Sequence, residues 1–394
     1  MAELTPLEVA RTYWALPPEK RQWSEVAQLL GRNPKDKVLQ NRLGRLARQW
    51  EEKGLVRHVV VSEPSRHEYM PRDPELEQDL RRQFRLRQAV VVDVPMPRPE
   101  GGAPADVAVH DQADNEVHEA LGRWAARVFA SLMRQHDVLG VGGGRGPYFT
   151  VKNCLFPGGL PNPRKVVSLT GQMSANVWGD AAKTEIASMD ADQVASLLGG
   201  QLGASSIIRV NKPIADARSR PLEIPKAVTL ALVGIGALAG GHRMRRYDEC
   251  QELAPVKGKL KELCELADKL DRKTMGEEEM SPHWVADLCN HLFITKSGPN
   301  DWGKVPVADR EKLEERVNKL NAGFRSPDES QFADVCRRGA VVAVGGGKHK
   351  VGGIYHVLMQ KNPLITHLIT DRSVARQIVD LSKRPANVSS VQGT

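Results

Sequence analysis

A run of β-branched and small apolar residues that stops at glycines and then turns helical leaves a chain few ways to fold. From Val341 the sequence reads Val-Val-Ala-Val-Gly-Gly-Gly-Lys-His-Lys-Val-Gly-Gly-Ile-Tyr-His-Val-Leu, and it continues to Leu368-Ile-Thr-Asp-Arg-Ser-Val-Ala. A strand apolar at every position must be covered on both faces, which favours a parallel sheet between layers of helix. The break at Gly345-Gly346-Gly347 frees backbone amides, and Lys348 and Lys350 follow where a helix should begin. Freed amides, a helix N-terminus and an ammonium all favour an anion. A second such turn, Val138-Leu-Gly-Val-Gly-Gly-Gly-Arg-Gly, comes earlier in the chain, and there Arg145 adds a fork of donors for phosphate or carboxylate. The plain alternative for each is a tight strand-to-loop turn with a surface cation.

Similar runs recur at Ala89–Val94, Val138–Val141, Val166–Leu169, Ile207–Ile208, Val228–Val233, Val341–Val344 and Ile365–Ile369. They alternate with helical segments, which predicts an α/β domain with a mostly parallel sheet. Glu75 to Leu86 is expected to be a helix with Leu76, Leu80 and Phe84 on one face. Glu116 to Gln135 is expected to be another, with Leu121, Trp124, Val128 and Leu132 on its apolar face. Pro95 to Pro104 reads as a loop. Two charged stretches, Tyr247 to Leu270 and Val307 to Leu320 followed by Phe324 to Cys336, read as solvated helical insertions.

The first sixty residues carry a different signature. Thr5 to Ala15 reads as a helix opened by Thr5 and Pro6, and Pro17-Pro18 ends it. Ser24 is expected to cap a second helix that buries Val26, Ala27, Leu29 and Leu30 and closes at Gly31. Asn33-Pro34 opens a third that runs to about Lys53, and Leu55 to Val61 becomes a strand. Helices followed by a strand outline a winged helix-turn-helix. On the third helix, Leu39, Leu43, Leu46 and Trp50 fall within about 60° of one another. Lys37, Asn41, Arg45 and Arg48 lie on the opposite side, with Arg42 on the flank. Arg forks onto guanine and Asn onto adenine in the major groove, while Lys and outlying Arg suit phosphates. A solvated helix face would look similar. The surrounding outline favours duplex DNA as partner.

The 394 residues are enough for more than one domain, and the net charge of +8 suits a polyanion. No apolar stretch approaches the roughly 20 residues that span a bilayer, and the start lacks a signal-like pattern, so a cytoplasmic protein with no membrane partner is expected. Five scattered cysteines without a C-x-x-C pair fit free thiols in a reducing compartment. Cys264, His283, Cys289 and His291 lack the paired short spacing of a zinc site, so no metal is expected.

Several chemistries are disfavoured. In Gly140-Val-Gly-Gly-Gly-Arg-Gly the last glycine of a dinucleotide fingerprint is displaced by Arg145, Pro147 interrupts the helix start, and the next strand ends in Ser-Leu-Thr-Gly instead of an acid. There is no P-loop, nucleophile elbow, H-E-x-x-H or paired catalytic carboxylate, and His136, His242 and His367 stand alone. No cofactor and no catalytic residues are therefore expected.

Taken in order, these segments resemble the sorbitol-operon (SorC-type) family of bacterial transcriptional regulators over most of the chain. Leu76 to Val92 is similar to the helix-to-strand entry of that family's effector domain, and Val138–Gly146 to its first glycine turn. Val166–Gln172 is similar to a strand ending in a polar-glycine pair, Leu230–Gly236 to the central strand, and Val285–Phe293 to the helix that follows. The Gly345 turn with Lys350 and then Leu368-Ile-Thr-Asp is the closest correspondence.

The resemblance implies an N-terminal winged helix-turn-helix over 1–62 and a linker over 63–74. A Rossmann-like effector and oligomerisation domain would follow over 75–394, similar to sugar-phosphate isomerases and CoA transferases. It implies a homotetrameric, DNA-binding regulator of carbohydrate genes, expected to act as a repressor and controlled by a sugar phosphate or related anionic metabolite. Carried over by position, the effector would meet Gly144, Arg145, Gly171, Gln172, Gly234, Gly236, Gly346, Gly347 and Lys350, while operator DNA would meet Lys37, Asn41, Arg42, Arg45 and Arg48. The family's Trp-Gly-x-Thr is Gly143-Gly144-Arg145-Gly146 here, so one effector-contacting hydroxyl is missing. The rival reading is a sugar-phosphate isomerase or transferase-like enzyme with an appended DNA-binding domain, and Asp287 is the acid nearest a family motif. A third is an interaction protein whose N-terminal domain contacts another protein.

Overall fold

The computed structural model describes residues 22–52, 70–94, 107–133, 138–154, 165–170, 189–210, 224–237, 254–275, 285–289, 291–294, 305–347 and 350–383. The expected helix over 5–15, the wing strand after Gly54 and the loop over 95–104 lie outside those residues. The chain forms two compact units, one made chiefly of the first 64 residues and the other of most of the remainder.

In the first unit, α1 (Trp23–Leu29) and α2 (Lys37–Glu52) form a helix-turn-helix. Gln22, with extended backbone, precedes α1, so Ser24 falls inside the first turn instead of capping it. Gly31 adopts φ +67°, which ends α1 and reverses the chain. The second helix starts later than Asn33-Pro34, because those residues build the turn. The Asn33 side chain accepts from the Lys35 amide at 3.0 Å, and Asp36 then accepts from the Leu39 amide at 3.0 Å as the true cap. Val26, Ala27 and Leu43 form the small core between the helices, with Trp23, Leu30 and Leu39 packed on it, while Leu29 is exposed.

In the second unit seven parallel strands run in the order β1-β9-β8-β5-β2-β3-β4. They are β1 (Gln88–Val92), β2 (Val138–Val141), β3 (Lys165–Ser168), β4 (Ser206–Ile208), β5 (Val228–Ala237), β8 (Ala340–Val344) and β9 (His367–Asp371). Ala89, Val91, Ala231, Val233, Val341, Ala343 and Leu368 face one core, shared with α3 (Pro74–Phe84), α9 (Glu329–Arg338), α10 (Val351–Leu358) and α11 (Arg372–Lys383). The alternate residues Val90, Val92, Leu230, Leu232, Val342, Val344 and Ile369 are buried too. The helices α4 (Val107–Leu132), α5 (Arg145–Lys152) and α6 (Ala191–Leu202) pack in sequence along the strands. Burial on both faces is why these strands read as unbroken apolar runs.

Three further expectations are corrected. Val285–Phe293 is not a helix but a hairpin, β6 (Val285–Leu288) and β7 (His291–Ile294), with Cys289 at φ +52° in its turn. It pairs antiparallel with the end of β5. Pro147 does not interrupt the helix after β2. It sits in the first turn of α5, where a proline costs no hydrogen bond. The charged stretches are more than solvated insertions. Leu260, Leu263, Ala267 and Leu270 of α7 (Ala254–Met275) and Leu313, Val317 and Leu320 of α8 (Val307–Asn321) bury a second core together with the hairpin.

The free edge of β1 is closed by its own chain. The Asp73 amide donates to Val91 O at 2.9 Å, and the Asp93 amide to Pro71 O at 2.9 Å. Buried Glu77 on α3 accepts from the Val91 amide at 3.0 Å and from Arg72 Nε at 2.7 Å, and it forms an ion pair with that guanidinium. An edge covered in this way cannot recruit another strand. Glu77→Ala strands the Val91 amide and the Arg72 guanidinium, and it is expected to cost about 2 kcal/mol in a urea unfolding experiment.

Candidate functional site

The strand order reverses between β2 and β5: the chain steps outward from β2 to β3 and β4, then returns to β5 and proceeds through β8 and β9. In open parallel sheets the crevice at the carboxyl ends of strands at such a point is where ligands sit. Both glycine turns are there.

The turn after β2 is drawn tight by its neighbours. The Gly142 amide donates to Leu232 O at 2.8 Å and the Gly144 amide to Met189 O at 2.7 Å. Gly144 has φ +108° with open space where a side chain would lie, and it leads into Arg145, the half-buried first residue of α5. A Cβ on Gly146 would sit 2.7 Å from Val344 O, and one on Gly234 would sit 3.2 Å from Gly143 O and from Pro147 Cδ. The first turn of α5 therefore lies directly over the ends of β5 and β8, and Gly144, Arg145 and Gly234 are gathered together. Gly236 is farther along β5, paired with Asp287 of the hairpin.

The turn after β8 already holds an anion of its own. Asp371, at the end of β9, accepts from the Gly347 amide at 2.7 Å through one oxygen and from the Val374 amide at 2.9 Å through the other. Gly346 packs so closely that a Cβ there would lie 2.6 Å from Leu121 Cδ1 and 2.9 Å from the Asp371 carboxylate. Burial holds the Asp371 carboxyl above its ordinary range, against the pull of the amides it accepts from. Lys350 caps α10 with its backbone, and its Nζ lies 2.9 Å from Nε2 of fully buried His118 on α4.

Three residues that the sequence reading did not nominate thus belong to this region. His118 precedes Leu121 by three on the apolar face of its helix, a position where a histidine signals a buried partner. Asp371 closes the Ile-Thr-Asp of β9. Asp190 lies beside the Gly143 turn, since a Cβ on Gly143 would meet the Ala191 amide nitrogen at 2.9 Å. It caps α6 by accepting from the Gln193 amide at 2.8 Å. Burial, with repulsion from Asp192, pushes its carboxyl up to about 7. Trp124, expected on the apolar face of α4, is half-buried with the guanidinium groups of Arg72 and Arg127 over its ring at 5.1 and 4.9 Å. Gly171 and Gln172 lie outside the described residues.

In the helix-turn-helix, the side chains of Lys37, Asn41 and Arg42 are exposed, the first two on the face of α2 away from its core and Arg42 on the flank. Arg45 and Arg48 are helical, but their side chains lie outside the described residues. Among the described residues no group of His, Cys, Asp and Glu is arranged to hold a metal, and no helix is long and apolar enough to cross a membrane.

Residues 70–256, just under half of the chain, match the model of the Sugar-bind family, described as "Putative sugar-binding domain". The match falls almost entirely within the second unit. The chain is similar to the full-length sorbitol operon regulator SorC from Klebsiella pneumoniae, with 16% identity, 95% of this chain and 98% of that chain covered, and a TM-score of 0.49. It is also similar to a DeoR family transcriptional regulator from Listeria monocytogenes (16% identity, 77% and 98% covered, TM-score 0.49). A transcriptional regulator from Streptococcus pneumoniae matches with 16% identity, 78% and 96% coverage and a TM-score of 0.46. No curated protein matches the sequence.

Asp190 gives this region a measurable signature. Its folded-state carboxyl lies above its value in the unfolded chain, so the folded state holds the proton longer. This contribution is full below about pH 4 and is lost as pH rises to about 7. Asp190→Asn keeps an oxygen for the Gln193 amide and is expected to remove that slope, read from urea midpoints at about pH 4.5 and about pH 7.5.

Proposed function

We propose that this protein is a DNA-binding transcriptional regulator of carbohydrate genes, controlled by a phosphorylated sugar or a related anionic metabolite. The observation that carries the reading is the joining of two parts: a helix-turn-helix with Lys37, Asn41 and Arg42 exposed on its second helix, and a domain that matches a sugar-binding family. Operator DNA is the partner of the first. The effector of the second enters the crevice at the ends of β2, β5 and β8, where Arg145 and the dipole of α5 meet its anionic group and the open space at Gly144 admits it.

The protein acts in the cytoplasm as a homo-oligomer, a tetramer by the family resemblance, and as a repressor. Effector binding shifts the population between assemblies that do and do not present helix pairs at half-site spacing. A tenfold difference in effector affinity between the two states is worth about 1.4 kcal/mol, enough to modulate DNA binding without abolishing it.

One observation favours a second reading. Asp190, with a carboxyl near neutrality beside the glycine turn, is the kind of group an isomerase uses for proton transfer. Turnover of a pentose or hexose phosphate by the purified protein, abolished in Asp190→Asn, would establish it.

The regulator reading is tested by fluorescence anisotropy of a labelled fragment from the gene's own upstream region, at two salt concentrations, with and without a panel of sugar phosphates. Tight, salt-sensitive binding that one compound shifts is expected, and binding no tighter than to random DNA overturns the reading. Arg42→Ala is expected to raise the dissociation constant for the fragment about tenfold. With the active sugar phosphate known, Arg145→Met is expected to weaken its effect on DNA binding about tenfold while leaving DNA affinity in its absence unchanged.

A further inference from the structure

Val38 is an apolar residue in a polar place. It is the second residue of α2 and 77% exposed, whereas Leu39 and Leu43 of the same helix pack toward α1. At about 100° per residue it projects between Asn41 and Arg42, and both of those, with Lys37, are exposed around it. A lone exposed valine elsewhere would ask for no explanation. This one stands in the first turn of the second helix of a helix-turn-helix, the part that meets base edges in the major groove. Its exposed neighbours are cations and a carboxamide. A β-branched residue also favours a helix less than the alanine or glutamate that could replace it, so the stability of α2 does not call for it.

The major groove offers an apolar side chain one counterpart, the 5-methyl group of thymine. Lys37 and Arg42, in a chain of net charge +8, draw a duplex to this face. We propose that Val38 is a specificity-determining residue that packs on a thymine methyl between the groups engaged by Asn41 and Arg42. The inference rests on the DNA-binding reading above and adds a base identity to it. The side chain excludes water from the methyl group and accepts no hydrogen bond, so a cytosine at that position presents an amino donor that Val38 leaves unpaired.

The test uses the full-length protein to enrich binding sequences from a random duplex pool. The enriched duplex is then synthesised with each thymine in turn replaced by uracil, which removes the 5-methyl group alone. At one position per half-site, uracil is expected to weaken wild-type binding about fourfold, the value of one buried methyl-sized group. Val38→Ser is expected to bind the thymine and uracil duplexes alike, whereas Val38→Thr, which keeps a methyl group, retains the difference. Because the position is exposed, both variants are expected to unfold at the wild-type temperature.

An enriched duplex with no thymine whose replacement matters through Val38 overturns the inference and leaves the DNA-binding reading standing. Failure of the wild type to enrich any sequence overturns that reading, and the inference with it. A change of oligomeric state in Val38→Ser, without a change in the thymine-to-uracil difference, assigns Val38 to a contact between copies and also overturns the inference.

Discussion

The site depends on how closely the first turn of α5 approaches the sheet. A Cβ on Gly146 would lie 2.7 Å from Val344 O, and one on Gly143 would lie 2.9 Å from the Ala191 amide nitrogen. Only residues without a side chain allow the end of β2, the start of α5 and the end of β8 to meet above β5. That approach places Arg145 and the helix N-terminus over the point where the strand order reverses. A larger residue at either position would lift α5 and open the crevice.

The charges around this point are arranged unequally. At the turn after β8, Asp371 takes the Gly347 amide, and the Lys350 ammonium is directed at buried His118. That turn is ordered from within by a carboxylate of the protein. At the turn after β2, the Gly142 and Gly144 amides go to backbone carbonyls, and the position beyond Gly144 is open. The half-buried Arg145 and the N-terminus of α5 stand beside that open position, and burial raises the carboxyl of nearby Asp190. The hairpin β6–β7 and the core it shares with α7 and α8 extend the end of β5 beyond the sheet. Cys289 of its turn lies so near β2 that a Cβ on Gly142 would approach its sulfur at 2.6 Å.

Much of this was legible in the residues themselves. Strands buried on both faces leave a continuous apolar signal, so β1, β2, β3, β5 and β8 could be placed from the sequence within a few residues. The helix-turn-helix was legible because Gly31 can end a helix with positive φ and because Leu39 and Leu43 share a face. The hairpin is not legible locally: Val285 to Ile294 is short, carries both polar and apolar residues, and pairs with β5 only through tertiary contact, so the family resemblance alone supplied a helix there. The start of α2 is ambiguous in sequence because Asn33 and Asp36 both have side chains able to cap, and only the backbone between them selects Asp36.

The sequence by itself determined the order of elements, the positions of the two glycine turns and the polar face of α2. Each follows from local preference: β-branched runs, missing Cβ atoms and the helical period. It could not determine which amides of those turns remain for a ligand, because Asp371, Met189 and Leu232 claim them from distant parts of the chain. Nor could it show that His118 meets Lys350 or that Asp190 stands near neutrality. Those are properties of burial and distance between residues far apart in sequence, and only the tertiary structure sets them.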